Sequence, residues 1–246
     1  MSKIKVALCI SGEPRNAMSS FSYIFESFLW DNDEFNVDVF IHSRKPYRAI
    51  NLYQPQKLYL DEISEREIYK KITNSLNITS LEAKTKYKIF NEFTFNSNPF
   101  KNAILMYDGI QKCFNMANST KTYDLYVRCR PDLIFRDKFS FSHIIHDILI
   151  DKKYDMFIPN SFPENVNMDD DKLAIGNYKS IKFYANILSN LNYLIDQTND
   201  LVSEKWLQYH LRNNQINVNK HFINIDIIRK HKLSLQWGGN NFYNED

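Results

Sequence analysis

The amino-acid sequence predicts an α/β fold, with a mainly parallel central sheet flanked by helices in a single domain of residues 1–246. Three observations lead to this prediction. The chain has 246 residues, enough for one large domain or at most two small ones. Strand and helix patterns alternate from the amino terminus, which is typical of a parallel sheet covered by helices. The sequence contains no internal repeat and no low-complexity linker that would divide it.

The first half of the chain combines short apolar runs with helix patterns. Lys5–Ile10 predicts a buried strand that ends in the turn-forming run Ser11–Asn16. Ala17–Trp30 predicts a helix, because apolar residues such as Phe21 and Ile24 recur at helical spacing. The remaining elements of this half are strands at Asn36–His42 and Lys57–Leu60 and a helix at Ser64–Leu76, in which Ser64 and Glu67 have capping-box spacing.

The second half continues the alternation. A long helix is predicted at Pro99–Met116, where Pro99 suits the first turn and the apolar residues form one face. The strand Tyr123–Cys129 follows, and the run Arg130–Asp132 ends it. The later elements are strands at Tyr154–Ile158, Lys172–Ile175 and Ile216–Ile228, and helices at Ser180–Ile195 and Ser203–Leu211.

Composition excludes several classes of function. The chain has only 5 Gly and contains neither G-x-G-x-x-G nor G-x-x-x-x-G-K-[ST], which argues against a glycine-cradled dinucleotide and against a P-loop. The net charge is +2 without a basic stripe, so nucleic acid is not an expected partner. Apolar runs such as Val6–Ile10 are far shorter than the roughly twenty residues of a membrane-spanning helix. No transmembrane segment is therefore expected.

The cysteines indicate the compartment. Cys9, Cys113 and Cys129 are far apart and form no C-x-x-C motif, which favours free thiols in a reducing setting. The first residues also lack the apolar core of a signal peptide. We therefore expect a cytoplasmic protein. Its peripheral association with a membrane and its oligomeric state are left open.

Ligands of parallel α/β sheets bind beyond the carboxyl ends of the strands. This rule selects four segments of the chain as the expected site. They are Ser11–Asn16, His42–Lys45, Arg130–Asp132 and the segment after Ile158 that leads into Asp169–Asp171.

The first two segments each allow two interpretations. Ser11, Glu13 and Arg15 follow a buried strand, and an arginine fork there suits a phosphate or a base edge, although an ordinary turn with one exposed arginine would look the same. His42 closes the second strand. It is either a structural, hydrogen-bonded histidine or a residue of the site.

The run from Arg128 to Asp132 is more informative. A carboxylate at a strand tip can bind a divalent cation, and arginines beside it can bind a diphosphate. Buried arginines need partners, so an ion pair between Arg128 or Arg130 and an internal carboxylate such as Asp124 is the alternative. The residue types alone do not decide between the two.

Two further acidic groups are candidates for proton transfer. The run Asp169–Asp171 is either a solvated loop, a cation site, or the source of a general base toward a sugar hydroxyl. Glu204 begins the predicted helix Ser203–Leu211, where an acidic residue also complements the helix dipole.

Four segments together resemble a known family. VALCISGEPRN, VDVFIHSR, YDLYVRCRPDLIF and DDKLAIGNYKSIKFYANI occur in this order between Val6 and about Tyr184. They resemble nucleotide-sugar-dependent glycosyltransferases of the GT-A fold, found in bacterial capsule and lipopolysaccharide clusters and in large DNA viruses. The Arg-x-Arg-Pro-Asp element is fairly specific, and the others gain weight from their order.

The resemblance implies a nucleotide-binding half at about residues 1–135 and an acceptor half at about 136–246. It places Ser11, Gly12 and Arg15 near the base and phosphates of the nucleotide. It places Asp132 at the metal-binding Asp-x-Asp carboxylate of GT-A enzymes, with Arg130 where the first acid of that motif stands. Either one carboxylate suffices for the cation, or Arg130 replaces part of the cation's charge.

The same resemblance implies roles for the other candidates. Asp171 matches the acid that faces the acceptor, and Glu204 is the rival catalytic base. His42, Arg128 and Arg130 are expected to line the nucleotide site. His221 and His231 are available as a late metal contact, but neither lies in a recognisable motif.

The expected activity is transfer of a hexosyl or deoxyhexosyl group from a nucleoside-diphosphate sugar to a glycan hydroxyl in polysaccharide biosynthesis. The expected donor is UDP-linked, and the expected cofactor is Mn²⁺ or Mg²⁺. A non-catalytic module that binds a nucleotide or a glycan is the alternative. A sugar methyltransferase is a third hypothesis, which the shortage of glycine disfavours. The donor sugar, the acceptor and the stereochemical outcome are not specified by the sequence.

Overall fold

A computed structural model describes residues 3–13, 17–29, 34–46, 48–61, 99–136, 141–160, 168–221, 223 and 225–227, and single positions at 67, 70 and 74. Its main feature is a seven-stranded sheet in the order β3-β2-β1-β4-β7-β6-β8. The strands of this sheet are β1 (Ile4–Ser11), β2 (Phe35–Ser43), β3 (Lys57–Leu60), β4 (Leu125–Cys129), β6 (Met156–Pro159), β7 (Leu173–Gly176) and β8 (Val218–His221). A second sheet pairs β5 (Leu133–Phe135) with β9 (Ile225–Ile227).

Helices cover the larger sheet. They are α1 (Ala17–Phe28), α2 (Pro99–Asn118), α3 (Phe141–Ile145, extended by a π-turn at His146–Ile150), α4 (Tyr178–Ala185), α5 (Leu191–Thr198) and α6 (Ser203–Asn213), with 3₁₀ turns at Arg48–Tyr53 and Ile187–Asn190. No helix among the described residues is long and apolar enough to cross a membrane.

Alternation along the central strand β1 creates two apolar cores. Val6, Leu8 and Ile10 belong to the core that contains α1, while Ala7 and Cys9 belong to the core that contains α2. Successive side chains of a strand point to opposite faces, so a run that is apolar throughout must be covered on both sides. This explains the uninterrupted apolar sequence of β1 and confirms the predicted α/β fold with a mainly parallel sheet.

One strand of the larger sheet runs against its neighbours. β7 pairs antiparallel with both β4 and β6, whereas β1 pairs parallel with β2 and β4, β2 with β3, and β6 with β8. The amino end of β7 therefore lies at the same edge as the carboxyl ends of β1, β2 and β4. As a result, Asp169–Asp171, which precede β7, reach the edge where ligands of parallel sheets bind.

Two predicted elements are interrupted in the structure. The predicted helix Ser180–Ile195 is divided at Asn186, whose side chain donates to the Lys182 carbonyl (2.8 Å) and accepts from Gln111 (2.7 Å). Asparagine side chains compete with the helix for backbone groups in this way. The predicted strand Ile216–Ile228 is divided into β8 and β9, which pair in different sheets.

Other differences concern elements that the sequence patterns did not indicate. The strand β5 and the helix α3 with its π-turn were not predicted, since both are short and lack a sustained period. The predicted helix Ser64–Leu76 lies outside the described residues, apart from positions 67, 70 and 74.

Candidate active site

The site begins where the loop after β1 meets the turn after β4. Gly12 has φ +136°, and a Cβ built on it would lie 3.3 Å from Cδ of Pro131. Only glycine adopts such a backbone conformation without strain, so Gly12 allows the two loops to touch. The hydroxyl of Ser20 on α1 donates a hydrogen bond to the Pro131 carbonyl, which joins α1 to the turn after β4. Ser11 is buried, and its Oγ has no hydrogen-bond partner among the described residues.

Arg130 and Asp132 form a bidentate ion pair across this turn. Arg130 Nε donates to Asp132 Oδ1 at 2.8 Å, and Nη2 donates to Oδ2 at 3.0 Å. Asp132 is completely buried, while the Arg130 side chain is 15% exposed. Both carboxylate oxygens are therefore engaged by the guanidinium group, which lies between Asp132 and solvent.

Arg128 is a buried arginine with incomplete hydrogen bonding. It lies on the face of β4 that packs against Tyr107 of α2 and Tyr184 of α4, and it is 1% exposed. Its Nη1 donates to the carbonyl of Lys172, whereas Nε and Nη2 have no partner in the described part of the chain. The interpretation that Arg128 or Arg130 pairs with Asp124 does not hold, because Asp124 accepts from the Lys5 amide at the other end of β4.

Asp171 is the acidic group whose environment favours a proton. Burial, followed by the nearby Glu204 carboxylate, raises the pKa of Asp171 to about 6 against the opposing charges of Arg128 and Arg130. Ser203 joins the two acids, because its Oγ lies 2.8 Å from Glu204 Oε2 and 3.3 Å from Asp171 Oδ2. A hydroxyl has one proton and donates to one of them at a time.

Two tyrosines donate hydrogen bonds to the backbone beside this acidic pair. The Tyr184 hydroxyl donates to the backbone carbonyl of Asp171 at 3.2 Å, and the Tyr107 hydroxyl donates to the carbonyl of Ser203 at 3.4 Å. Both side chains are fully buried, and burial raises the pKa of each phenol above its usual value. The tyrosines are therefore neutral donors that hold Asp171 and Glu204 side by side.

The acidic run before β7 is buried, so the interpretation as a solvated loop is wrong. Asp169 and Asp170 are 3% and 2% exposed. Asp170 Oδ2 accepts from Lys172 Nζ at 2.8 Å, and Asp169 Oδ1 accepts from Lys220 Nζ. Each of these carboxylates has its own lysine, which leaves Asp171 as the member of the run without a lysine partner among the described residues.

His42 lies in a second group of charges beside the site. It is 3% exposed, and its Nε2 lies 3.5 Å from Asp61 Oδ2 without forming a hydrogen bond. Burial, with the charge of Lys112 second, lowers the pKa of His42 to about 4, so the ring is neutral at physiological pH. Its Nδ1 would lie only 2.8 Å from a Cβ added to Gly109 of α2, which makes glycine necessary there.

Lysine and aromatic contacts complete this group. Lys112 pairs with Asp61 and, at 3.2 Å, with Asp108, and its Nζ lies 5.2 Å from the centre of the Tyr59 ring. The Tyr59 ring stacks on His42 with 5.7 Å between ring centres. A flat, partly exposed aromatic beside a neutral imidazole suits a planar group such as a nucleobase.

Some predicted residues are not placed by the structure. Arg15 and His231 lie outside the described residues. His221 ends β8, but its side chain is not described. Conversely, sequence patterns did not indicate Ser203, Tyr107, Tyr184, Asp61 or Lys112. Ser203 directly precedes Glu204, and that adjacency is the one signal that could have indicated it.

The described residues do not fit a divalent cation. Asp132 has both oxygens occupied by Arg130, and Asp169 and Asp170 are bound to lysines. Nowhere in the described ranges do three His, Cys, Asp or Glu side chains come together in a way that could hold a metal ion. The prediction that Asp132 binds Mn²⁺ or Mg²⁺ therefore lacks a supporting set of donors here.

No family model and no curated protein sequence matches the chain. Solved structures that are similar include a glycosyltransferase involved in glycosylation of the major capsid of the virus PBCV-1 (10% identity, 89% of this chain and 82% of that chain, TM-score 0.45). Mouse xyloside xylosyltransferase 1 is also similar (11% identity, 89% and 85%, TM-score 0.49). So is core-mannan synthase A from Aspergillus fumigatus in a Mn/GDP form (12% identity, 92% and 75%, TM-score 0.47).

Proposed function

We propose that the chain is a glycosyltransferase that moves a sugar from a nucleoside-diphosphate donor to a hydroxyl group of a glycan. A UDP-linked sugar is the donor that we propose first. One observation carries the proposal. Asp171 and Glu204, joined by Ser203, lie within electrostatic reach of Arg128 and Arg130 at the ligand-binding edge of the sheet. Transfer of a sugar from a diphosphate with inversion at the anomeric carbon needs this combination of a base and cationic groups.

The chemistry can be followed atom by atom. The acceptor oxygen forms a bond to the anomeric carbon, and the bond from that carbon to the diphosphate oxygen breaks. The acceptor proton passes to a carboxylate, and the electron pair of the broken bond stays on the diphosphate. Arginines near the leaving oxygen stabilise the charge that develops there.

Asp171 is the base that we assign. A general base works best when its pKa lies near the operating pH. The pKa of Asp171 is raised to about 6, so the carboxylate is ionised at neutral pH and is still a useful proton acceptor. Glu204 is the second acid, and we assign it the role of raising the pKa of Asp171.

The nucleotide is expected on the other side of the arginines. Ser11 ends β1, Gly12 directly follows it, and His42 lies near the carboxyl end of β2. We propose that these residues, together with Arg15, line the base and phosphates of the nucleotide. Hexosyl or deoxyhexosyl specificity and a role in polysaccharide biosynthesis are parts of the same proposal. The three cysteines are free and buried, which supports a reducing, cytoplasmic setting.

The test is turnover of nucleotide sugars by the purified chain. UDP-, GDP- and CDP-linked sugars are supplied with and without glycan acceptors, and release of nucleoside diphosphate is measured. We expect one donor to be consumed, and an Asp171→Asn variant to bind that nucleoside diphosphate normally while losing transfer. If Glu204→Gln loses transfer and Asp171→Asn does not, the base has been assigned to the wrong acid.

A non-catalytic binding module is the second candidate. The complete pairing of Asp132 with Arg130 favours it, because that carboxylate has no free oxygen for a cation. Calorimetry separates the two candidates. Binding of a nucleoside diphosphate, with no turnover of any donor across the panel, would support the module and overturn the enzyme.

A further inference from the structure

In the Arg130–Asp132 pair, the carboxylate is more deeply buried than the guanidinium group. Asp132 has no exposed surface, and the guanidinium group of Arg130 lies in front of it with 15% of the side chain exposed. A ligand that enters the site therefore meets Arg130 before Asp132. A carboxylate that binds a cation must present an oxygen to it, and both oxygens of Asp132 face Arg130 instead.

Arg130 has donors left for a ligand. A guanidinium group has five N–H donors in a fixed plane. Nε and one N–H of Nη2 are used on Asp132. The two N–H groups of Nη1 and the second N–H of Nη2 have no partner among the described residues, and they form another edge of the guanidinium group. Such an edge binds two phosphate oxygens in a bidentate manner.

The charges around the pair are also suitable. Arg130 and Asp132 together are neutral, so an additional cation is needed beside a diphosphate. Arg128 supplies it, as a buried arginine of β4 two residues before Arg130, with two nitrogens that lack partners in the described chain. Asp169 and Asp170 each have a lysine of their own, so Asp171 and Glu204 are the nearby carboxylates that oppose the charges of Arg128 and Arg130.

We propose that the diphosphate is bound by the free edge of Arg130, backed by the charge of Arg128, without a divalent cation, and that Asp132 is a positioning residue that holds Arg130. This inference rests on the proposed function, since it concerns the leaving group of that reaction. It replaces the role of metal ligand that the resemblance implied for Asp132. The covalent step is unchanged, and Arg130 donates hydrogen bonds to the diphosphate without losing a proton.

The first experiment measures binding of UDP, GDP and CDP to the full chain by calorimetry, in EDTA and in manganese. We expect the best-binding nucleoside diphosphate to have the same Kd within about twofold in both conditions. Arg130→Gln should weaken this binding by about 10- to 100-fold, the range for a lost hydrogen bond to a charged group. Binding that requires manganese and disappears in EDTA would overturn the inference.

The second experiment tests whether Asp132 acts through Arg130. Asp132→Asn alone should weaken binding of the nucleoside diphosphate, because Arg130 loses its bidentate partner. Combined with Arg130→Gln it should add nothing, since a residue that only positions another has no separate effect. An Asp132→Asn effect that persists undiminished in the Arg130→Gln background contradicts the positioning role.

Controls separate folding and function from the inference. Arg136 forms an exposed ion pair with Asp226 at 3.0 Å, and both side chains are 43% exposed. The control variant Arg136→Gln removes an arginine from this pair and should leave the Kd unchanged. Thermal unfolding of each variant identifies those that fail to fold, and Arg130→Lys, which keeps the charge but loses the fork, then replaces Arg130→Gln. If no nucleoside diphosphate binds in either condition, the proposed function itself fails. If one binds only with manganese, the metal-free inference alone fails.

Discussion

Replacing Asp171 by asparagine is expected to make the protein more stable at neutral pH while abolishing transfer. The Asp171 carboxyl is 9% exposed and lies near Glu204 and Asp170, with Arg128 and Arg130 opposing them. The net effect raises its pKa from 3.8 to about 6. At about 1.4 kcal/mol per pH unit, keeping the carboxylate ionised in the folded state costs about 3 kcal/mol.

The direction of the pH dependence follows from the number of protons that the folded and unfolded states bind. Between about pH 4 and pH 6 the folded state holds the Asp171 proton more tightly than the unfolded state, so the contribution of Asp171 to wild-type stability decreases as pH rises through this window. Asparagine stays neutral at every pH and avoids the decrease. The variant should therefore gain up to about 3 kcal/mol at pH 7.5, which corresponds to about 6 °C in Tm, and gain nothing at pH 4.

The assay is thermal unfolding of wild type and variant from pH 4 to pH 8. Asp151→Asn is the control, because Asp151 precedes the amino end of β6, away from the site, is 52% exposed and pairs with His146 at 3.3 Å. Its Tm should change by less than about 2 °C at any pH. Equal Tm values for wild type and Asp171→Asn across the whole pH range would refute the reasoning, because no cost of ionisation would then exist to be removed.

Three further outcomes are expected. Glu204→Gln removes a negative charge that raises the pKa of Asp171, so the acidic limb of the pH profile of kcat/KM should move to lower pH; an unmoved limb contradicts the coupling. Gly109→Ala places a methyl group 2.8 Å from His42 Nδ1 and should lower Tm by several degrees, a net loss of roughly 1–2 kcal/mol, although alanine favours helices. Burial, with Lys112, lowers the pKa of His42 to about 4, so the contribution of His42 to stability should decrease as pH falls from 6.5 toward 4, and the Tm of His42→Gln relative to that of wild type should rise over that range in thermal unfolding.

The edge of the sheet at which the candidate site lies follows from strand direction. Ser11, His42 and Arg130 lie at or just after the carboxyl ends of β1, β2 and β4, and parallel strands bring such residues to one edge. Asp171 lies at the same edge because of the direction of its strand, which no local sequence pattern indicates. Its strand β7 is antiparallel, and direction is a property of the whole sheet, not of the four residues Leu173–Gly176.

The partners of the charged residues could not be predicted in the same way. Asp124 was considered as a partner for the arginines because it lies on the same predicted strand, but it is at the opposite end of β4 and accepts from Lys5. The true partner of Arg130 is Asp132, two residues away, and the pairing depends on the turn at Pro131. Lys112 and Asp61 are 51 residues apart in the sequence, and the spacing of apolar residues does not predict a contact of this kind.

The antiparallel pairing of β7 with β4 has a consequence for engineering the protein. The ladder aligns Arg128 with Ala174 and Cys129 with Leu173, and so sets where Asp171 lies relative to the arginines. A shift of this ladder by one residue would therefore move Asp171 away from the arginines, so engineering of the protein should leave the pairing of β7 with β4 unchanged.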